Sequence, residues 1–537
     1  MKTPARRPGA RATPRPTPRP APLAAMLLLA LAGCTVGPDH ATPSTAAPDA
    51  FGSLDNAATL AAGAPVTPTA DPLAPGALAA WWTLFGDPSL DALVARAVRS
   101  NLDLRVAAAR VREARALRGQ ARADSFPTVD ATGGVTRRRD SDNTRFGPGS
   151  FSGGDGGGAG ADDSYSLFQA GLDASWEIDV FGAVRRGVEA ADAELVSTIE
   201  DRRAILVTVV SEVARNYVDL RGFQQRILLS ERTIAAQQGT VDLTTSRFEA
   251  GLSADLEVAQ SQGELATRQS ELPTLRIGLQ QAAHRLGVLL GQDPGALARE
   301  LETSGSIPRS PAAVPVGLPS DLLRRRPDIR RAERNIAAAS ARIGVATADL
   351  FPRFSLTGAF GFQSEEIGNL FEGNSRAWSV GPAVRWNIFD AGRIRNRIQA
   401  ADAREEQALA SYELTVLTSF EEVENALTGF VQEQARRRAL QAAVDANRRA
   451  VDLSSDRYRG GVGDFLNVLQ SQRGLYDVED RLVQSEAAVT RSLIALYKAL
   501  GGGWDDARTD PDSETDANID PATPIVDTPT ADPAPTT

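Results

Sequence analysis

The sequence contains one segment twice. Residues 176–193 read WEIDVFGAVRRGVEAADA, and residues 386–403 read WNIFDAGRIRNRIQAADA. The tryptophan, a glycine six residues later and the AADA tetrapeptide coincide at a shift of 210 residues, without a gap. A repeated segment of this kind predicts a fold built from two copies of one unit.

The repeat extends on both sides of these segments. Downstream, Gln260-Ser-Gln262 corresponds to Gln470-Ser-Gln472 at the same shift. Upstream, Phe126-Pro127 matches Phe351-Pro352 at a shift of 225, so the first copy contains 15 additional residues before its tryptophan. A glycine-rich segment, residues 150–163, lies in that interval. The chain is therefore one unit duplicated, and the first copy has the longer loop.

Apolar and polar residues alternate in the stretch before each tryptophan. Alternate positions from Phe168 to Ile178 are apolar, and residues 354–363 and 378–388 follow the same period, with a weaker example in residues 126–137. A period of two predicts strands that have one apolar and one polar face. Such strands, with aromatic residues near their ends, are typical of a transmembrane β-barrel. A soluble sandwich with one wet face remains the alternative.

Between the strands, apolar residues recur every seven positions. A strict seven-residue spacing predicts long helices that coil around each other with a left-handed twist. Forty-nine residues of helix span roughly 75 Å, which is more than twice the hydrocarbon thickness of a bilayer, so these helices should project away from the membrane. The two series are Ile199, Leu206, Val213, Leu220, Ile227, Ile234, Val241 and Phe248, and Leu409, Val416, Val423, Phe430, Val444, Val451 and Tyr458, with Arg437 as the only interruption.

The start of the chain has the pattern of an export signal. Residues 1–20 are rich in Arg and Pro, and the apolar run of residues 21–32 is too short to form a stable membrane span. The run ends in Leu31-Ala32-Gly33-Cys34, which resembles a bacterial lipobox, and Cys34 is the only cysteine of the chain. We therefore predict that a lipid is attached to Cys34. The alternative is a small-residue cleavage site followed by an incidental cysteine.

The composition excludes several functions. One cysteine and two histidines cannot supply a disulfide scaffold, a Cys/His zinc site or a Ser-His-Asp group. The formal net charge of −10, with nine acids after Gly503, disfavours nucleic-acid binding. Carboxylate chemistry remains open, but Glu421 and Glu422 are adjacent and diverge on a helix. We interpret Arg324-Arg-Arg326 as the solvated start of a helix that has Pro327 in its first turn. The chain is therefore predicted not to be an enzyme, with no metal and no cofactor besides the lipid.

These observations predict the following organisation. Four strands cannot close a barrel, so several chains must share one, and three chains would supply twelve strands. Each repeat should contain a helix, a β-hairpin and a long helical hairpin. The predicted segments are a signal peptide (1–33), a lipid-anchored tail (34–75) that has little to pack from about residue 41 onward, a first repeat (76–295, with hairpins 126–179 and 183–290), an equatorial linker (296–320), a second repeat (321–503, with hairpins 351–390 and 393–500) and an acidic disordered tail (504–537).

Several motifs occur in order along residues 34–504, namely Cys34-Thr-Val-Gly37-Pro38-Asp39, Trp81-Trp82, Phe85-Gly-Asp87-Pro88, Asn101-Leu-Asp-Leu104, Gly317-Leu-Pro-Ser320, Leu322-Leu-Arg-Arg-Arg-Pro-Asp-Ile329, Phe351-Pro352, Ser355-Leu-Thr-Gly358 and Phe389-Asp-Ala-Gly-Arg393. Together they resemble the TolC-type outer membrane efflux family, and most of all its lipid-anchored OprM-like and NodT-type branch. The resemblance implies a mainly α fold with a transmembrane β-barrel, in which a homotrimeric 12-stranded barrel is continued by a periplasmic α-barrel. It also implies a passive conduit in the outer membrane that works with a periplasmic adaptor and an inner-membrane RND-type pump in multidrug efflux.

The same resemblance suggests a constriction at the periplasmic end. Leu466 matches the family leucine that narrows the channel, but Gln470 stands where the family has an aspartate. Asp464 is the nearest acid that could supply a charged ring instead, and its alternative role is that of a helix N-cap. Leu466 could also pack within its own helical hairpin.

The turns of the two helical hairpins are the predicted adaptor contacts. Gly251-Leu252 and Gly461-Val462 are small or apolar residues at the turns farthest from the membrane, and exposed apolar residues mark interaction sites. The glycines could equally be ordinary turn residues.

The sequence leaves two rival functions open. A structural coiled-coil envelope lipoprotein would explain Cys34 and the seven-residue spacing but leaves the alternating strands without a role. An envelope hydrolase that uses carboxylates is disfavoured because the sequence has no clustered acid pair.

Overall fold

The computed structural model describes residues 35–44, 47–53, 67–69, 75–139, 164–297, 299–309, 313–317 and 319–505. The predicted signal peptide, Cys34, the glycine-rich segment 150–163 and the tail from residue 506 onward lie outside the described residues. The chain divides into two compact units. The first unit consists of the described parts of Met1–Ala41, Ala116–Ala193 and Ala337–Glu406, and the second of the described parts of Thr42–Arg115, Glu194–Ile336 and Gln407–Thr537.

The secondary structure repeats the duplication of the sequence. Helices of 22, 67 and 35 residues each occur twice, at shifts of 225, 210 and 210 residues. The described elements are β1 (Thr67–Thr69), α1 (Pro75–Ala79), a 3₁₀ turn (Trp81–Phe85), α2 (Pro88–Ser100), α3 (Leu102–Ala123), β2 (Thr128–Arg139), β3 (Ser164–Ile178), α4 (Ala183–Glu249), α5 (Asp255–Leu289), β4 (Ala313–Pro315), α6 (Pro319–Arg325), α7 (Pro327–Ala348), β5 (Arg353–Ser364), 3₁₀ turns (Ile367–Asn369, Gly373–Ser375), β6 (Arg376–Arg385), α8 (Arg393–Arg459) and α9 (Phe465–Ala499). The predicted duplicated unit of strand hairpin and long helical hairpin is confirmed.

The first unit is built on a four-stranded antiparallel sheet in the order β2-β3-β5-β6. Thr128 pairs with Ser175 in the first hairpin, and Arg353 pairs with Arg385 in the second. These two pairs coincide under the repeat shifts of 225 and 210 residues. The indole N–H groups repeat as well, because Trp176 donates to the carbonyl of Ser125 and Trp386 donates to that of Leu350, each at 3.0 Å. The two hairpins therefore have the same register.

The strands are shorter than the alternating pattern predicted at two places. The pattern extended to Ile388, but β6 ends at Arg385, and it started at Phe126, but β2 begins at Thr128. Strand β6 ends where its partner ends, since Arg385 lies opposite Arg353, the first residue of β5, and Pro352 precedes that residue. Strand β2 begins directly after Pro127, although its partner β3 continues to Ile178. Proline has no N–H to donate, so the ladder stops there.

The second unit is packed around a large apolar core. Trp81, Tyr217 and Tyr497 are fully buried in it, and the rings of Trp81 and Tyr497 stack at 5.3 Å. Asp87 connects this core to helix α2, because one carboxylate oxygen caps the helix and the other accepts a 2.8 Å hydrogen bond from the Tyr217 hydroxyl. Burying each large side chain of this kind contributes roughly 1.5–3 kcal/mol.

The tail predicted to have little to pack is only partly so. Phe51 is 1% exposed in the main core, and the amides of Gly52 and Ser53 donate to the two carboxylate oxygens of Glu424 at 2.7 and 2.9 Å. Strand β1 pairs in parallel with β4. One aromatic residue and a carboxylate that accepts two amides are thus enough to dock a segment of low average hydrophobicity.

The basic cluster before Pro327 is also corrected. Arg324 is exposed, but Arg326 is only 7% exposed and forms ion pairs with Asp328 at 2.6 Å and Glu422 at 2.7 Å. It also donates to the carbonyl of Ala499 at 2.9 Å. These acceptors hold its pKa above the ordinary value of arginine although burial opposes the charge. Arg326 is therefore a structural residue of the second unit and not a solvated one.

No helix in the described part of the chain combines the length and the apolarity needed to cross a membrane.

Candidate functional site

The turns of the two helical hairpins have the same geometry. Gly251 and Gly461 have φ of +75° and +74°, a conformation that glycine adopts without strain. The next amide in each turn closes back onto the helix, from Leu252 to the Arg247 carbonyl at 2.8 Å and from Val462 to the Arg457 carbonyl at 3.0 Å. Each turn therefore ends its helix in a left-handed cap and presents the following residue outward.

The residues presented outward are apolar. Leu252 is 67% exposed and Val462 is 71% exposed. Both belong to the four residues predicted to contact an adaptor. Because the described chain leaves both side chains uncovered at equivalent turns, they remain candidates for an interaction surface.

The predicted constriction residues lie at the start of α9. Asp464 is the N-cap of this helix, since its carboxylate accepts the amide of Leu466 at 3.0 Å. Leu466 is 43% exposed, and Gln470, one turn further on, is exposed as well. The neighbouring residues Phe465 and Leu469 are buried in a cluster that does not include Leu466. The alternative that Leu466 packs inside its own hairpin is therefore disfavoured.

A buried tyrosine connects the two hairpins close to these turns. The Tyr458 hydroxyl donates to the carboxylate of Glu257 on α5 at 2.6 Å, and the Arg247 guanidinium lies 4.8 Å from the ring centroid. Burial, followed by the hydrogen bond to Glu257, raises the pKa of Tyr458 to about 12. The hydroxyl is therefore a donor at every physiological pH, and it ties the second hairpin (α8, α9) to the first hairpin (α4, α5).

Further along the hairpins, Glu264 forms a second connection. It is 3% exposed and accepts from Arg268 on its own helix at 2.8 Å and from Arg473 on α9 at 2.5 Å. Gln472 donates to the hydroxyl of Thr240 at 3.3 Å. These two contacts between the hairpins are thus polar or charged. The loss of Arg473 would leave the buried Glu264 carboxylate with Arg268 as its remaining ion-pair partner.

These connections were not predicted from the sequence. In the sequence, Tyr458 is one member of the seven-residue series, and no pattern marks Glu257. One signal was available, because the repeat places Phe248 at the position of Tyr458, so the hydroxyl is a difference between the copies. The identity of its partner required the structure, since the two residues are 201 positions apart.

The sheet of the first unit has two chemically different faces. One face carries the apolar residues of all four strands, with Val129, Leu172, Phe360 and Trp378 among those exposed. On the other face Asp130 lies opposite Asp173, which accepts a hydrogen bond from Thr132 at 2.9 Å. Within the described ranges, His, Cys, Asp and Glu do not form a group of three that could hold a metal ion.

A sheet with one apolar and one polar face, repeated with long helical hairpins, defines a class of protein, the channels made of barrel strands and helical hairpins in bacterial outer membranes. Known proteins support this class. The profile of the family described as "Outer membrane efflux protein" matches residues 93–292 and 318–502. The chain belongs to the outer membrane efflux protein family, whose members are outer-membrane channel proteins rather than enzymes.

Individual relatives and solved structures agree. The chain is 32% identical over 492 residues to outer membrane protein OprJ of Pseudomonas aeruginosa, covering 90% of this chain and 96% of that protein. It is 30% identical over 485 residues to nodulation protein T of Rhizobium leguminosarum bv. trifolii, covering 89% and 96%. The solved outer-membrane channel OprN superimposes with a TM-score of 0.78 at 37% identity, covering 88% of this chain and all of that one. The predicted fold class and outer-membrane location are thereby confirmed.

Proposed function

We propose that three copies of this chain close a 12-stranded barrel that is continued by a periplasmic α-barrel, and that the trimer is a passive conduit. The observation that carries the proposal is the open sheet, whose edge strands β2 and β6 have no outer neighbour among the described residues. An open edge in a membrane would leave its backbone groups without partners, so the sheet has to close. Twelve strands leave room for an aqueous interior that the polar faces would line.

The partners follow from the relatives. The chain is 33% identical over 482 residues to a Pseudomonas putida protein named "Toluene efflux pump outer membrane protein". We infer that this chain is likewise the outer-membrane component of a tripartite pump, together with a periplasmic adaptor and an inner-membrane RND-type pump. Solutes then pass through without chemistry, and no cofactor is needed besides the lipid on Cys34.

Two sets of residues have proposed roles in this conduit. Leu466 and Gln470 share one face of α9 and are exposed, so a three-fold axis would turn each of them into a ring. Asp464 is occupied as an N-cap, which disfavours a separate charged ring there. Gly251, Leu252, Gly461 and Val462 are the proposed adaptor contacts.

The trimer is tested with the full-length protein purified in detergent. The mass of the protein without detergent should correspond to three chains, and reconstitution into planar bilayers should give discrete conductance steps. A stable monomer, or a trimer without conductance, would support the rival function, a coiled-coil envelope lipoprotein.

The lipid anchor is tested separately. Labelled palmitate should be incorporated into the wild-type protein and not into Cys34→Ser. Incorporation into both proteins would contradict lipidation at this residue.

A further inference from the structure

The segment that follows Cys34 is bound to the first unit at a built site. The amide of Val36 donates to the carbonyl of Phe181 at 3.2 Å, and Arg186 contacts three residues of the segment. We call the receiving residues Phe181, Gly182, Arg186 and Gly344 the N-terminal dock, and residues 35–39 its occupant.

Two glycines allow the occupant to lie in close contact with the dock. A Cβ on Gly37, which has φ of +95°, would lie 2.4 Å from the Cα of Gly344. A Cβ on Gly182, with φ of +85°, would lie 2.8 Å from the side chain of Thr35. Backbone approaches this close exclude any larger residue, so the glycines are required by the docked segment and not only by the turns.

Arg186 provides the polar half of the dock. It is 4% exposed, and it donates to the carbonyls of Val36 at 3.3 Å and Gly37 at 3.4 Å and to the carboxylate of Asp39 at 2.6 Å. Its remaining ion pair is with Glu189 at 2.7 Å. Three of these four acceptors belong to the occupant, so the buried guanidinium would lose most of its partners if the segment left.

The second repeat provides an internal control. The shifts of 210 and 225 residues place Asn396, Gly392 and Gly119 at the positions of Arg186, Gly182 and Gly344. A Cβ on Gly392 or on Gly119 would meet nothing within 4 Å. The repeated fold therefore does not itself require an arginine or a close glycine contact at these positions, and the difference coincides with the bound segment.

The dock lies where a strand gives way to a helix. Strand β3 ends at Ile178, α4 begins at Ala183, and Phe181 between them stacks on Phe351 at 4.6 Å. Trp176 lies two residues before the end of β3, and tryptophan is enriched at the membrane interface. Residue 35, one peptide bond after Cys34, is therefore held near the inner end of the strands.

We propose that the N-terminal dock sets the place and depth at which the acyl chains on Cys34 enter the membrane, and that Arg186 is the positioning residue of this anchor. This proposal rests on the lipidation proposed above. The anchor is then a fixed part of the strand base, so its insertion supports the assembly of the barrel instead of only tethering the chain.

The dock is tested by hydrogen exchange on the full-length acylated protein. The peptide that covers residues 35–44 should be protected in the wild type, and Arg186→Ala should raise its exchange by about tenfold, because hydrogen bonds to charged groups are lost. Gly344→Val should have the same effect. The matched controls Asn396→Ala and Gly119→Val should leave the peptide protected. Asp39→Ala removes one acceptor whose side chain is exposed, so it should give a smaller increase in exchange.

The coupling to the anchor is tested by a double-mutant cycle on the amount of heat-resistant trimer in the outer membrane. Arg186→Ala should incorporate palmitate normally but yield less trimer, and adding Cys34→Ser should cause no further loss. Wild-type exchange at the unfolded rate in residues 35–44, additive losses in the cycle, or an unchanged yield in either single variant would overturn the proposal. Absence of palmitate in the wild type would instead refute the lipidation, and the exchange experiment would still report on the dock.

Discussion

At the scale of single residues, the hydroxyl of Tyr458 distinguishes the second copy from the first, which has Phe248 at the equivalent position. Tyr458→Phe removes the hydroxyl that donates a hydrogen bond to Glu257 and leaves that carboxylate without this partner. The expected loss in stability for this contact is about 1–3 kcal/mol. We expect the hairpins to separate more readily, so the variant should show higher closed-state conductance in bilayers and greater sensitivity of cells to a large antibiotic such as vancomycin. The control is Phe248→Leu at the equivalent, exposed position of the first copy, which should behave like the wild type. Equal conductance in Tyr458→Phe and the wild type would show that this bond does not hold the channel shut.

The pKa of Tyr458 also predicts a pH dependence. Burial raises it to about 12, above the ordinary value of 10, so the folded state holds this proton more tightly than the unfolded state. The contribution to stability is fully present below pH 10 and is lost as the pH rises from 10 through 12. Tyr497, whose pKa burial also raises to about 12, acts in the same direction in the core. The midpoint temperature of thermal unfolding, measured by circular dichroism, should not change through these two groups between pH 7 and 9. Between pH 10 and 12 it should fall, and it should fall less in Tyr458→Phe.

Leu466 and Gln470 carry the prediction for the gate. Leu466→Ser should raise closed-state conductance because it removes an apolar ring, and Gln470→Asp should make the pore more cation-selective and open to block by divalent cations, since three carboxylates on one axis concentrate positive charge. Asn467→Asp, an exposed neighbour on the same turn but on another face, is the control for the added charge. Planar-bilayer recordings decide the matter. Selectivity indistinguishable from that of the wild type in Gln470→Asp would place the constriction elsewhere.

At the scale of elements, the periodicities predicted the kinds of helix and strand better than their ends. The seven-residue spacing indicated two long helices, and helices of 67 residues were found. The end of β6 was wrong by three residues because the strand ends where its partner β5 begins, and a single strand does not encode its partner's length. The start of β2 was wrong by two residues because Pro127 was counted as part of the strand. The docked parts of the tail were missed for a related reason, since Phe51 is one apolar residue in a segment whose average is polar.

The two hairpin turns carry the prediction for adaptor binding. Replacing both Leu252 and Val462 with aspartate should abolish drug resistance, because charges would replace apolar side chains that are exposed in the free chain and would be desolvated in a complex. The membrane level and the trimer should remain unchanged. Leu453→Asp, an equally exposed leucine two turns away from the Gly461 turn, is the control. Full resistance in the double variant would remove these turns from the adaptor interface.

At the scale of the whole molecule, the internal duplication contains information about the proposed trimer. Within one chain, β3 of the first copy pairs with β5 of the second, for example Asp173 with Ala359. The repeat shifts convert this pair into one between β6 and β2. These two strands are not paired in the described part of one chain, so in the proposed trimer β2 would come from the next copy. The converted register places Ala383 opposite Gly134 of the adjacent copy and Ile388 opposite Val129. It keeps all apolar residues on one face, as a slip by one residue would not.

The register also accounts for the early end of β6. Among the described residues of one chain, residues 386–388 have no strand opposite them. The neighbouring β2 would supply one, so the strand should reach Ile388 in the trimer as the alternating pattern predicted. The fold of the repeat could thus be predicted from the sequence. The seam could not, because its register depends on pairings that become visible only once the β3–β5 ladder is known.

Disulfide cross-linking tests the seam in assembled trimers. Ala383→Cys with Gly134→Cys should form a bond between copies and give covalent dimers and trimers under non-reducing denaturation, because directly opposed Cβ atoms are about 4.5–5.5 Å apart. Asp173→Cys with Ala359→Cys, the equivalent pair within one chain, is the positive control and should leave the mass monomeric. Ala383→Cys combined with Thr132→Cys or Thr136→Cys moves the partner one diagonal step away, to about 7–8 Å, and should cross-link far less. If either diagonal pair links better than the direct pair while the trimer mass is unchanged, the trimer stands and the two-fold repeat does not continue across its seam. If no pair links and the mass is that of a monomer, the closed barrel itself is refuted.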